Sequence, residues 1–210
     1  QRQMCIRDRP MIDRGYPQLV TRLEKSGITV VSLQPATVNE MYTYWKILGV
    51  LTGRQAQASE MISHFQNVSS NYKAVTSSIA VKKRVYFESI HSKMKTFSPD
   101  SMAIFALETA GGINVAGDAA PVRKTNIAAY GKERILSRAA QIDVYLAQYG
   151  AMNRPTVAMI KNESGCKAIK AVKGNQIFII DEQIVSRPTL RLLEGIQKIG
   201  KILYPDVFDE

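Results

Sequence analysis

The chain has 210 residues, 45% hydrophobic and 22% charged, with a formal net charge of +10; that balance is globular and argues against a disordered chain. No apolar run approaches the roughly 20 residues of a membrane-spanning helix. Two cysteines (Cys5, Cys166) and two histidines (His64, His91) exclude a disulfide framework, a four-cysteine zinc site and a multi-histidine metal centre.

Residues 1–10 (QRQMCIRDRP) carry no apolar periodicity and no signal-peptide core, and read as a non-native leader. Residues 16–26 place Leu19, Val20 and Leu23 on one helical face, and Gly27 stops that helix. The β-branched run Ile28–Leu33 predicts a buried strand. Thr37 and Glu40 have capping-box spacing, and Met41, Tyr44, Trp45 and Leu48 follow on one stripe. Thr52 and Gln55 can cap a second helix in the same way. Met61, Phe65, Val68, Tyr72 and Val75 then predict a long helix over 54–77, about 35 Å at 1.5 Å per residue.

A strand is predicted over Val85–Ile90, then a helix capped by Ser98 and running through Met102, Ile104, Phe105 and Leu107. Gly111-Gly112 ends it before a short strand at 113–115. Residues 117–131 read as a long loop. A helix over 132–140, a strand over 142–146, helical pieces at 155–160 and 166–171, and a strand over 176–180 follow. The last helix spans 189–204 and stops at Pro205. Strands and helices alternate, which implies an α/β fold with mostly parallel strands. The basic excess is spread out, with Lys82-Lys83-Arg84 as the one run of three. It reads as solvated surface rather than a nucleic-acid footprint, so no nucleic-acid partner is expected.

Several segments resemble one family, the substrate-binding proteins of ABC importers for iron–siderophore, haem and cobalamin complexes. The stretch GITVVSLQPATVNEMYTYWKILGVLTGRQAQASEMI is similar to the end of that family's first lobe and the entry to its bridging helix. LETAGGINVAGD resembles its Gly-Gly-x-Asn turn. YGKERILSRAAQIDVYLAQYG resembles its Glu-x-x-Leu segment and following strand, with Ala140-Gln141-Ile142-Asp143 in place of the usual Pro-Asp step. AIKAVKGNQIFIIDEQIVSRPTLRLLEGIQKIGKILYPDVF resembles its carboxyl-terminal end. The resemblance implies two α/β lobes joined by one long helix, with the ligand between them. It divides this chain into a remnant of the first lobe (11–53), the bridging helix (54–79) and the second lobe (80–210), the first lobe being incomplete. It also implies a monomer that captures a chelated metal, delivers it to a membrane permease and does no chemistry. Its place is then the periplasm, or a lipid anchor on the outer face of the cytoplasmic membrane.

The resemblance places cargo contacts in loops at strand ends, where open α/β sheets bind ligands. His91 follows one strand and can donate to a ligand carboxylate or ligate a metal. Arg123, Asn126 and Tyr130 belong to the 117–131 loop, and Arg187 follows the strand over 176–180. Cationic groups there suit an anionic iron–siderophore complex, or the acidic side groups of haem or cobalamin. Tyr130 can stack on an aromatic chelate. Glu133 matches the family's glutamate that pairs with permease arginines. No resident cofactor and no catalytic residue is expected; a chelatase-like enzyme would need a His/Glu pair in the cleft, and the sequence points to His91 alone.

Overall fold

The computed structural model describes residues 17–31, 33–122, 125–151 and 153–208. Helix α1 (Pro17–Lys25) leads into an unpaired segment; the strand expected over 28–33 is absent from the described part of it. No neighbouring strand lies beside it among the described residues, and a strand without a partner leaves its backbone groups to water.

Helix α2 (Val38–Thr52) begins with the expected capping box. The Glu40 amide donates to Thr37 Oγ1 at 3.2 Å, and the Glu40 carboxylate accepts from the amides of Ala36 (2.7 Å) and Thr37 (3.3 Å). Gly53, at a left-handed φ of 69°, turns the chain into α3 (Gln55–Ser77), which has 23 residues. No side chain caps α3, contrary to the Thr52/Gln55 expectation: Thr52 Oγ1 donates back to the Leu48 carbonyl at 2.7 Å, and Gln55 is already the first helical residue.

Strands β1 (Arg84–Ile90), β2 (Lys95–Phe97), β3 (Ile113–Asn114), β4 (Ala120–Pro121), β5 (Ile127–Ala129), β6 (Val144–Tyr149) and β7 (Ile177–Asp181) form one sheet in the order β4-β5-β2-β1-β6-β7, with β3 also beside β1. β1 runs parallel to β3 and β6, and β6 to β7, whereas β2, β5 and β4 extend the sheet antiparallel. The sheet is therefore mixed. Strands β4 and β5 occupy part of the expected 117–131 loop; at two or three residues each, they are too short to leave an alternating pattern.

Helices α4 (Met102–Thr109), α5 (Lys132–Ser137), α6 (Val157–Asn162), α7 (Lys170–Lys173), α8 (Glu182–Val185), α9 (Leu192–Leu203) and α10 (Pro205–Phe208) complete the described α-helices, with short 3-10 turns at His91–Lys93, Ala139–Gln141 and Cys166–Ala168. Ser101, not Ser98, caps α4 by accepting from the Ile104 amide; the Ser98 hydroxyl instead donates to the Thr125 carbonyl at 2.6 Å. Pro205 ends one helix and opens α10, since a proline fits the first helical turn.

Alternation along β1 assigns its two faces. Val85 and Phe87 join Val144, Leu146 and Ile180 under α2, α3, α4, α8 and α9. Tyr86 joins Tyr145, Ala147 and Ile177 under α5, α6 and α7. The result is a sheet buried on both faces, whose strands β1, β6 and β7 end side by side at one carboxyl edge. Trp45 fastens α2 to that end of the molecule: its indole N–H donates to the Pro188 carbonyl at 2.9 Å, and its ring stands edge-on to Phe65.

Candidate functional site

The segments that follow β1, β6 and β7 are laced together by hydrogen bonds from their own residues. β1 carries a bulge: Glu88 faces Thr96 and Ile90 faces Lys95, so Ser89 is the extra residue, and its hydroxyl donates to the Thr96 carbonyl at 2.8 Å. The chain then makes a single helical turn over His91–Lys93, closed by Met94 at φ 44°. The His91 amide donates to Asn153 Oδ1 at 3.0 Å, which joins the β1 turn to the segment after β6. The Asn153 side-chain amide donates to the Gln148 carbonyl at 2.8 Å, and the Ser186 hydroxyl donates to Gln148 Oε1. Glu182, at the start of α8, accepts from the Ala151 amide at 3.0 Å and pairs with Arg187. Gly150 makes that last contact feasible, because a Cβ there would overlap the Glu182 carboxylate.

Below this edge lies a buried polar group that the sequence reading passed over. Glu88 points to the Tyr86/Tyr145 face of the sheet and is fully buried. Its Oε2 accepts from the Tyr145 hydroxyl at 2.5 Å and contacts His91 Nδ1 at 3.0 Å. The hydrogen bond to Glu88 raises the His91 pKa above its ordinary 6.5, burial works against it, and the charges of Glu88 and Glu163 add to the rise. Burial, reinforced by the Glu88 charge, pushes the Tyr86 and Tyr145 hydroxyls well above the usual tyrosine value, so both stay protonated. The signal for Glu88 was present as a lone charge inside the strand sequence RVYFESI; nothing local marked Asn153 or Gln148.

The structure brings His91 and Arg187 to this one edge, on the segments flanking β6. Glu133 stands beside it: the Gly131 amide donates to the Met94 carbonyl at 3.1 Å, and Glu133 is exposed in the first turn of α5, with no ion-pair partner among the described residues. Its neighbour Lys132 pairs with Glu163 at 2.6 Å. Arg123 lies outside the described residues. Asn126 precedes β5 at the end remote from Met94, where its carbonyl accepts from the Ser98 amide at 2.9 Å. Tyr130 is buried. Its ring lies against Tyr86, its hydroxyl donates to the Val115 carbonyl at 3.4 Å, and Arg134 covers its outer face 4.4 Å from the ring centroid. Arg134 and Arg138 both bind Asp118, at 2.6 Å and 2.7 Å, and these bonds hold the Asp118 carboxyl below its usual range. The Tyr130 cluster therefore has its own internal partners. The His/Glu pair thought missing does exist, but in depth, with Glu88 buried behind His91 rather than beside it in a cleft. No group of three or more metal-ligating side chains occurs among the described residues.

The sequence profile of the periplasmic binding proteins matches residues 12–184. An uncharacterized ABC transporter substrate-binding lipoprotein of Bacillus subtilis, YvrC, is 24% identical over 195 residues, covering 91% of this chain and 59% of that protein. A cobalamin-binding protein of Halobacterium salinarum is 22% identical over 187 residues, covering 88% of this chain and 50% of its own length. The chain thus spans about half to three fifths of the length of the curated relatives it matches. A crystal structure of a possible iron-binding (periplasmic solute-binding) protein from Staphylococcus epidermidis superimposes with a TM-score of 0.75 at 25% identity, over 91% of this chain and 72% of that one. Profile, relatives and superposition agree with the α/β layers described above: the chain belongs to the periplasmic binding protein family.

Proposed function

We propose that this chain is part of the substrate-binding component of an ABC importer, and that its carboxyl edge contributes one wall of the cargo site. The supporting observation is the lacing of that edge. The segments after β1, β6 and β7 are tied through Asn153, Gln148 and Glu182, so His91 and Arg187 are held at fixed positions on rigid strand ends. The cargo class is a metal chelate, with an anionic iron–siderophore complex as the first choice, because Arg187 is half-exposed and can be shared with a ligand acid. Cobalamin, as in the Halobacterium relative, and haem are the alternative cargoes on the same scaffold. Capture is by binding without chemistry.

Glu133 supplies a free carboxylate beside this edge for arginines of a membrane permease. The protein then works in the periplasm or from a lipid anchor at the outer face of the cytoplasmic membrane, as a monomer until it docks. In the same reading α3 is the bridge between lobes, residues up to 53 belong to the first lobe and residues from 80 onward to the second.

Titration with ferric catecholate, ferric hydroxamate, ferric citrate, haem and cobalamin tests the reading. Trp45, bonded to Pro188 next to Arg187, is the only tryptophan and reports on the edge through its emission. Saturable one-to-one quenching by one compound, without turnover, is the expected result. A folded protein that responds to none of the five, or that inserts metal into a tetrapyrrole, contradicts it.

A further inference from the structure

We propose that Glu88 is the positioning residue of the cargo edge: its buried carboxylate holds His91 in the form protonated on Nδ1, so that Nε2 meets the cargo as an electron-pair donor rather than as an N–H. Only the meeting with cargo rests on the function proposed above; the state of the ring does not.

The argument starts from what a carboxylate can do. Ionised, it offers lone pairs only, so each group hydrogen-bonded to it must supply a proton. Glu88 Oε2 has two such neighbours, the Tyr145 hydroxyl at 2.5 Å and His91 Nδ1 at 3.0 Å. The Tyr145 proton is secure, since burial keeps that hydroxyl from ionising. With Glu88 ionised, Nδ1 therefore carries hydrogen as well. A neutral imidazole has only one N–H, so its second nitrogen is bare. Nε2 has no hydrogen-bond partner among the described residues, and the side chain keeps 9% exposure.

Three further features fix the backbone from which the ring projects. The bulge at Ser89 sets the exit of the chain from β1. The His91 amide is taken by Asn153 Oδ1, and the His91 carbonyl accepts from the Met94 amide at 3.0 Å. Glu88 itself cannot swing away. It sits on a central strand among Tyr86 and Tyr145, with Oε1 buried and unpartnered among the described residues, so its attachment runs through Oε2 alone. The charged groups facing the ring are Glu88 from β1 and Glu163 from the end of α6, the latter already paired with Lys132 of α5. Both acids favour the imidazolium at low pH, where Nε2 becomes a donor. The electron pair is offered only above the His91 titration. A histidine backed by a carboxylate on its inner nitrogen is how proteins commonly fix a ring whose outer nitrogen has work to do.

Nitrogen-resolved NMR of the two imidazoles in the intact chain is the test. Above the His91 titration, the wild-type His91 ring is expected to be protonated on Nδ1 and bare on Nε2. Glu88→Gln keeps an oxygen that accepts from Nδ1, so the form is expected to persist while the titration midpoint of His91 falls. Glu88→Leu removes the acceptor, and the ring is expected to lose its Nδ1 preference. A purely structural role for Glu88 would move neither the proton nor the midpoint in a folded variant. Finding the wild-type ring protonated on Nε2, or finding the midpoint unchanged in Glu88→Gln, overturns the proposal. If Glu88→Leu fails to fold, those two measurements still decide it. Failure of all five chelates to bind would count against the proposed function and leave the ring measurement standing.

Discussion

His91 illustrates how one buried contact sets a pH dependence. Its folded pKa is raised above 6.5, chiefly by the hydrogen bond to Glu88. A raised folded value means the folded state binds the proton more tightly than the unfolded chain does. The stabilisation is therefore fully present below 6.5 and is lost as pH rises through the folded value. The unfolding midpoint should fall with rising pH in that window, and His91→Gln should flatten the slope; an unchanged slope would separate His91 from the effect. Asp118 works in the opposite direction, since Arg138 and Arg134 depress its pKa and its contribution is lost only on acidification. Gly150 carries a second residue-scale prediction. In Gly150→Ala the new methyl displaces the Glu182 carboxylate, which loses the Ala151 amide and Arg187 together. Chemical denaturation should show a loss of about 1–3 kcal/mol, the usual range for overpacking or for leaving a polar group unsatisfied.

At the scale of elements, the longer helices and strands β1, β6 and β7 were legible in the sequence, whereas the short paired segments β2, β4 and β5 were not. The Thr37/Glu40 spacing located the start of α2, and the spacing of Met61, Phe65 and Tyr72 located α3, because helix signals are carried within the element itself. Thr37→Ala should cost about 1 kcal/mol by removing the cap, readable as a lower urea midpoint. The strand expected over Ile28–Leu33 shows the limit: β-branched residues make a strand only where a neighbour supplies hydrogen bonds. β2, β4 and β5 show the converse, segments of two or three residues whose strand character comes entirely from pairing. The site divides the same way. His91 and Arg187 lie just after strands that the local pattern locates, whereas the loop sequence around Tyr130 does not say that Arg134 covers its ring. Glu88 was overlooked because its partners lie 3 and 57 positions away, and only folding brings Tyr145 to it.

At the scale of the whole molecule, the sheet sorts apolar residues to two buried faces and leaves chemistry to its edges. The carboxyl edge carries the laced turns, with the exposed Glu133 beside them. Trp45→Phe should separate fold from reporter: it removes the bond to Pro188 at a cost of about 1 kcal/mol and abolishes the emission signal, while leaving His91 and Arg187 in place. Glu133→Ala should leave stability and cargo affinity unchanged and weaken only the association with permease, measurable with permease reconstituted in vesicles. The central claim is that cargo is held at the carboxyl edge. Its most direct test compares the affinity of the wild-type protein with that of Arg187→Ala and His91→Ala for whichever chelate of the panel binds, with the fold of each variant confirmed by circular dichroism. Loss of the charge-assisted contact of Arg187, or of the electron-pair donor of His91, is worth roughly tenfold or more in affinity, so each variant should bind at least about tenfold more weakly with unchanged one-to-one stoichiometry. Equal affinity in the wild type and both variants would place the cargo elsewhere.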